Sequence, residues 1–120
     1  MRILVVDDNP DVADTVSHAL LLDGHTVRTA YDGNSGLREA IEFAPQVAVL
    51  DIGLPKLDGV ELARALRRLP GNRASLIACT GSDDAVTRRR MADVGFDQIF
   101  IKPVAIEALL AAVKVMQKVE

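Results

Sequence analysis

Residues 47–59 read VAVLDIGLPKLDG, and this stretch decides the fold. Val47-Ala48-Val49-Leu50 is a continuous apolar run with no polar alternation. That pattern suits a strand covered on both faces, as in a parallel sheet. The run ends on Asp51. Gly53, Pro55 and the Asp58-Gly59 pair then break any regular element, and a helical stripe begins at about Val60 and runs to Leu69, closed by Pro70-Gly71.

The same unit recurs on both sides of it. Ile3-Leu4-Val5-Val6, Leu76-Ile77-Ala78-Cys79 and Ile99-Phe100-Ile101 are further aliphatic runs, and His25 to Ala30 is a weaker, alternating one suited to a sheet edge. Between them lie helical segments. Asn9-Pro10 reads as N-cap and first helical position, with Asp23-Gly24 as the stop and Val12, Val16, Ala19 and Leu20 as the buried stripe. A second helix spans about Asn34 to Phe43 and ends before Pro45. A fourth starts at a Ser82/Asp83 cap and stops at Gly95, and a fifth follows Pro103 to near the end of the chain. Five β-α units in succession predict a doubly wound, five-stranded parallel α/β sheet with right-handed crossovers. An order of 2-1-3-4-5, the flavodoxin-like (βα)5 arrangement, puts strands one and three side by side at the switch point.

Composition narrows the function. The chain has 120 residues, of which 49% are hydrophobic and 26% charged. A chain of this size buries about two-thirds of its surface, enough for one core, so one domain over residues 1–120 is expected, with no room for an effector domain. With Lys+Arg 14 against Asp+Glu 17, the net charge is -3, and aromatics make up only 3%. Neither a cationic face for a phosphate backbone nor a stacking platform for bases is indicated, so direct nucleic-acid binding is not expected. The single cysteine, Cys79, excludes an internal disulfide. No apolar run reaches membrane-span length, and Asp7-Asp8 cuts off the first apolar run too soon for a signal peptide. A cytoplasmic location without membrane contact is expected.

The polar residues fall in one place on this frame. Asp7 and Asp8 follow strand one, Asp51 follows strand three, Thr80 strand four and Lys102 strand five. Ligands of open α/β sheets bind at those carboxyl ends. Taken singly, each residue has an ordinary explanation as a turn, cap or surface residue; five at one sheet edge form a constellation. Three carboxylates with one lysine leave a local charge of about -2. A hard divalent cation relieves it, and Mg²⁺ takes oxygen ligands and is often completed by a phosphate oxygen. Mg²⁺, a lysine and a hydroxyl around a carboxylate suit phosphoryl transfer. No glycine-rich P-loop is present to hold a nucleotide.

Asp7-Asp8, Asp51, Thr80 and Lys102-Pro103, together with the 51–59 segment and Gly95-Phe96-Asp97, resemble the receiver domain of two-component response regulators over essentially the whole chain. The loops are most similar to receivers of hybrid sensor kinases. The resemblance implies that Asp51 is the phosphoacceptor, taking its phosphoryl group from phosphohistidine on a sensor histidine kinase or a histidine phosphotransfer protein. It implies Mg²⁺, or Mn²⁺ as a substitute, on Asp8, Asp51 and the Gly53 carbonyl, with Asp7 acting through a water. Lys102 would pair with Asp51, Thr80 would close on the phosphoryl group, and Lys102-Pro103 would be cis. The switched surface, and the site of an expected homodimer, would be helix four, strand five and helix five. Self-transfer of this kind is not enzymatic turnover.

The chain departs from the family at Ile99, where an aromatic residue or His is usual; a β-branched side chain cannot swing a ring. Coupling from Thr80 to the output surface is therefore expected to differ. By the same resemblance, Gly53 and Ser82 stand where the family tunes dephosphorylation, beside Gly81. Arg88-Arg89-Arg90 reads as a solvated face or a docking contact, and His18, His25, Met91 and Met116 as structural. Three other readings compete. A degenerate receiver would act only as a docking module. An aspartate-nucleophile phosphatase would want a second acid where Gly53 stands. A flavin carrier would need a first loop that cradles phosphate, which Asp7, Asp8 and Asp11 would repel.

Overall fold

The computed structural model describes residues 1–119. Five strands alternate with five helices: β1 (Arg2–Val6), α1 (Pro10–Leu22), β2 (Thr26–Ala30), α2 (Gly33–Phe43), β3 (Val47–Asp51), α3 (Gly59–Arg68), β4 (Ser75–Thr80), α4 (Ala85–Val94), β5 (Gln98–Ile101) and α5 (Ile106–Val119). All pairings are parallel, in the order β2-β1-β3-β4-β5, as expected.

The period of two along each strand divides the core. Leu4, Val6, Ala48, Leu50 and Leu76 point to one face, where they meet Ala40 of α2 and Leu62, Ala63 and Leu66 of α3. Ile3, Val5, Val47, Val49 and Ile77 point to the other, against Ala13 and Leu20 of α1 and Leu109 and Val113 of α5. A small third cluster joins Met91 of α4 to Ile52, Val60 and Ala78.

Acidic and amide side chains start four of the helices. Asn9 accepts from the Asp11 and Val12 amides, Asp32 from Ser35, Asp58 from Glu61 and Asp84 from Thr87. Gly95 closes α4 in the left-handed region at φ 77°.

Three local expectations change. The cap of α4 is Asp84, not Ser82 or Asp83; Ser82 donates its hydroxyl to Asp84, and Asp83 accepts from Arg88. The buried stripe of α1 is Ala13, Ser17 and Leu20, while Val12 is exposed. Ser17 is tolerated inside because its hydroxyl shares a 2.7 Å hydrogen bond with Thr29 Oγ1 on β2, a pairing an apolar pattern cannot announce. Strand β5 lies at the sheet edge, as the order 2-1-3-4-5 requires, but its apolar run is not covered on both faces: Ile99 and Ile101 lie open on the side that α4 covers thinly.

Candidate functional site

The sheet order brings the carboxyl ends of β1 and β3 together. Asp51 is the last residue of β3 and pairs in register with Cys79 of β4, while Val6↔Leu50 sets Asp7 one step beyond β1 beside it. Asp7 and Asp51 are buried, at 5% and 6% exposure, and Asp8 is exposed. Each of the three offers a carboxylate oxygen, and these oxygens lie within 4.8 Å of one another. That donor set is all hard oxygen and strongly anionic, so it fits a Mg²⁺-type ion better than a thiophilic metal.

The carboxylates are held by backbone. Asp7 Oδ1 accepts the Asn9 amide at 3.0 Å, and Asp51 Oδ1 accepts the Gly53 amide at 3.0 Å. Lys102 Nζ enters from beyond β5, donating to Asp7 Oδ2 at 3.1 Å and lying 3.4 Å from Asp51 Oδ1. The lysine therefore bridges the two buried acids, closer to Asp7 than to the Asp51 partner expected from sequence. The Lys102–Pro103 peptide is cis.

Burial is the main force raising the Asp51 pKa, assisted by the charge of Asp7 and by Asp8; the Gly53 amide and Lys102 work against it without cancelling it. Burial alone would lower the Lys102 pKa, but its bond to Asp7 and the nearby charge of Asp51 outweigh this and raise it, so it stays cationic. Cys79 beside them is not a nucleophile: burial pushes its thiol up to about 12.

Thr80 ends β4 at 2% exposure. Its hydroxyl donates to the Ser82 carbonyl at 2.9 Å and accepts the Ser82 amide at 3.1 Å, so it is committed to the β4–α4 loop. Gly81 and Ser82 open that loop, which ends at the Asp84 cap. Ile99 is 43% exposed, and Phe100 packs on the opposite face with the α1–α5 core.

The sequence did not reveal a cavity of about 580 Å³ beside Asp51 and Lys102, walled by Val12, Val16, Val104 and Ile106 between α1 and the start of α5. The only signal was Val12, an apolar residue placed on the stripe that instead opens toward solvent. In the arginine run Arg88 and Arg89 are exposed, as on a solvated face, with Arg88 paired to Asp83 through two bonds of 2.6 and 2.7 Å; Arg90 is half-buried, and its Nη2 donates to Asp58 Oδ2 at 2.9 Å.

Comparison with known proteins matches this arrangement. The family described as response regulator receiver domain matches residues 3–114. Response regulator MprA of Mycobacterium ulcerans is 36% identical over 116 residues, covering 97% of this chain and 50% of that protein. Transcriptional regulatory protein PrrA of Mycobacterium leprae is 39% identical over 117 residues, covering 96% and 49%. The chain thus spans about half the length of the curated relatives it matches. Among solved structures, a CheY-like response regulator receiver domain protein from Methanospirillum hungatei superposes with a TM-score of 0.87 at 29% identity, covering 99% and 98% of the two chains. The BeF3-activated receiver domain of DrrB superposes at 0.86 with 32% identity, covering 98% and 97%.

Proposed function

Because this chain belongs to the response regulator receiver family, whose work is phosphoacceptor signalling, we propose that Asp51 is the residue that takes the phosphoryl group. The observation that carries this reading is the cluster of Asp7, Asp8 and Asp51, with oxygens within 4.8 Å of one another and Lys102 Nζ 3.4 Å from Asp51.

Asp51 supplies a carboxylate oxygen that attacks the phosphorus of a phosphohistidine. A P–O bond forms, the P–N bond breaks, and the electron pair leaves on the histidine nitrogen of a sensor kinase or phosphotransfer protein. Lys102, already cationic and between Asp7 and Asp51, balances the charge that the phosphoryl group brings. Thr80 exchanges its bond to Ser82 for one to a phosphoryl oxygen. Asp7, Asp8 and Asp51, with the Gly53 carbonyl, would hold Mg²⁺, or Mn²⁺ in its place. Such an ion, when bound, offsets the charge of the acids and of the transferred group. The apolar walls of the adjoining cavity give a donor helix a surface to cover while its histidine reaches Asp51.

The 120 residues act as one receiver unit in the cytoplasm, with no turnover of a separate substrate and no direct contact with nucleic acid. No helix among the described residues is long and apolar enough to cross a membrane. Output passes through α4, β5 and α5, the face on which two copies would pair.

Incubation with Mg²⁺ and acetyl phosphate, followed by intact-mass measurement, tests the reading. One phosphoryl adduct is expected, absent in Asp51→Asn. An unmodified mass would leave a docking module instead, and continuous phosphate release without a stable adduct would point to a phosphatase.

A further inference from the structure

Helix α4 is thinly anchored by apolar contact. Met91 is its single buried residue, set against Ile52, Val60 and Ala78, while Val86 is 71% exposed. Val94, at its C-terminal end, is partly buried against that cluster and against the α2–α3 core, and polar contacts supply the remaining attachments. At the N-terminus Asp84 caps the Thr87 amide and accepts the Ser82 hydroxyl, and Ser82 is in turn bonded twice to Thr80. In the middle of the helix Arg90 Nη2 reaches out of α4 to Asp58 Oδ2 at 2.9 Å, with the two side chains 39% and 21% exposed. Asp58 also caps α3 through Oδ1, which accepts the Glu61 amide at 2.9 Å. One carboxylate thus ties α4 to the far end of the loop that begins at Asp51. Arg88 makes no such link, since its partner Asp83 lies just before its own helix.

Each of the two loops in this arrangement holds or adjoins a group that a phosphoryl group on Asp51 competes for. The Gly53 amide now donates to Asp51 Oδ1, and the Thr80 hydroxyl now donates to Ser82. A change at the first disturbs the β3–α3 loop, and a change at the second disturbs the β4–α4 loop. Ile99, half open on β5, has no ring to carry the signal.

We propose that Arg90 and Asp58 are positioning residues that couple the β3–α3 loop to helix α4, so that phosphorylation at Asp51 moves α4 through this ion pair together with the Thr80–Ser82–Asp84 chain. The proposal rests on Asp51 being the acceptor. A half-exposed ion pair adds little to global stability, so breaking it acts locally, on a helix with few other attachments.

Hydrogen exchange of the Ala85–Val94 amides, before and after treatment with Mg²⁺ and acetyl phosphate, tests it, with intact mass recorded in parallel. The variants are Arg90→Met, which keeps an apolar stem, and Asp58→Asn, which keeps a good cap for α3. In both, the adduct forms with a yield within twofold of the parent, α3 exchange is unchanged, resting α4 exchange rises about fivefold, and the phosphorylation-dependent change in α4 falls at least twofold. The double variant is no worse than either single one, as for two halves of one contact. A normal adduct with a full α4 response in both variants would overturn the coupling alone. A parent chain that takes no phosphoryl group would overturn the acceptor reading, and the coupling with it; the mass measurement separates the two results.

Discussion

At Asp51 the site works against the fold. Its carboxylate is buried beside Asp7, and burial, more than any other influence, raises its pKa. The folded chain therefore holds a proton on Asp51 more readily than the unfolded chain does. Ionised Asp51 costs stability above its folded pKa, and the cost disappears as pH falls through that value toward the ordinary carboxylate range. Asp51→Asn removes the charge but leaves Lys102 its 3.1 Å bond to Asp7. In metal-free buffer at pH 7 the variant should melt higher, by about 1 kcal/mol or roughly 4 °C, with the gap closing by about pH 4. Thermal melts across that range check it; an Asn variant less stable at neutral pH would show that the Lys102–Asp51 attraction outweighs burial. Gly59 is the second residue on which the site depends. A Cβ there would lie 2.2 Å from the Asp51 carbonyl oxygen and 2.8 Å from Ile52 Cα, both backbone atoms that cannot step aside. Gly59→Ala should cost about 2 kcal/mol or more by forcing α3 away from the end of β3, and should slow phosphoryl uptake by displacing Asp51. Chemical denaturation and the rate of adduct formation read the two effects.

Among the elements, β5 and α4 depart most from the pattern of the others. β1, β3 and β4 are covered on both sides, and their apolar runs announce it. β5 has a run of the same kind yet leaves Ile99 and Ile101 open, because they face a helix whose one buried residue is Met91. Local hydrophobicity reports what a strand can bury, not whether a helix arrives to cover it. An exposed Ile99 also means that its replacement should be structurally mild. Ile99→Tyr should change stability by no more than about 0.5 kcal/mol and leave the Asp51 adduct intact, while altering affinity for whatever docks on α4, β5 and α5. Equal partner binding and equal adduct formation in the two proteins would show that this position takes no part in output.

Across the whole molecule, the parts legible from sequence were those written by periodicity and by chain position. The period of two placed Leu4 and Val5 on opposite faces, and the strand ends placed Asp7, Asp51, Thr80 and Lys102 at one edge once the order 2-1-3-4-5 was assumed. What stayed hidden depends on side-chain pairing between elements distant in the chain: Ser17 with Thr29, Arg90 with Asp58, Lys102 nearer to Asp7 than to Asp51, and the cavity behind Val12. No spacing rule encodes such pairs, because each is decided by how separately encoded elements settle against one another in the fold. The acid cluster is itself such a long-range product, joining the ends of β1 and β3, so it exists only in the folded chain. A divalent ion that needs all three carboxylates should then bind the native state and not the unfolded one. Mg²⁺ at a hundred times its dissociation constant should add about 2.7 kcal/mol, or roughly 10 °C in melting temperature, and chelation should reverse it. Asp8 is the informative ligand to remove, since it is exposed and its side chain supports no packing. Asp8→Ala should melt close to the parent in metal-free buffer and lose most of the Mg²⁺ increment. A Mg²⁺ increment of full size in Asp8→Ala would place the ion somewhere other than this cluster.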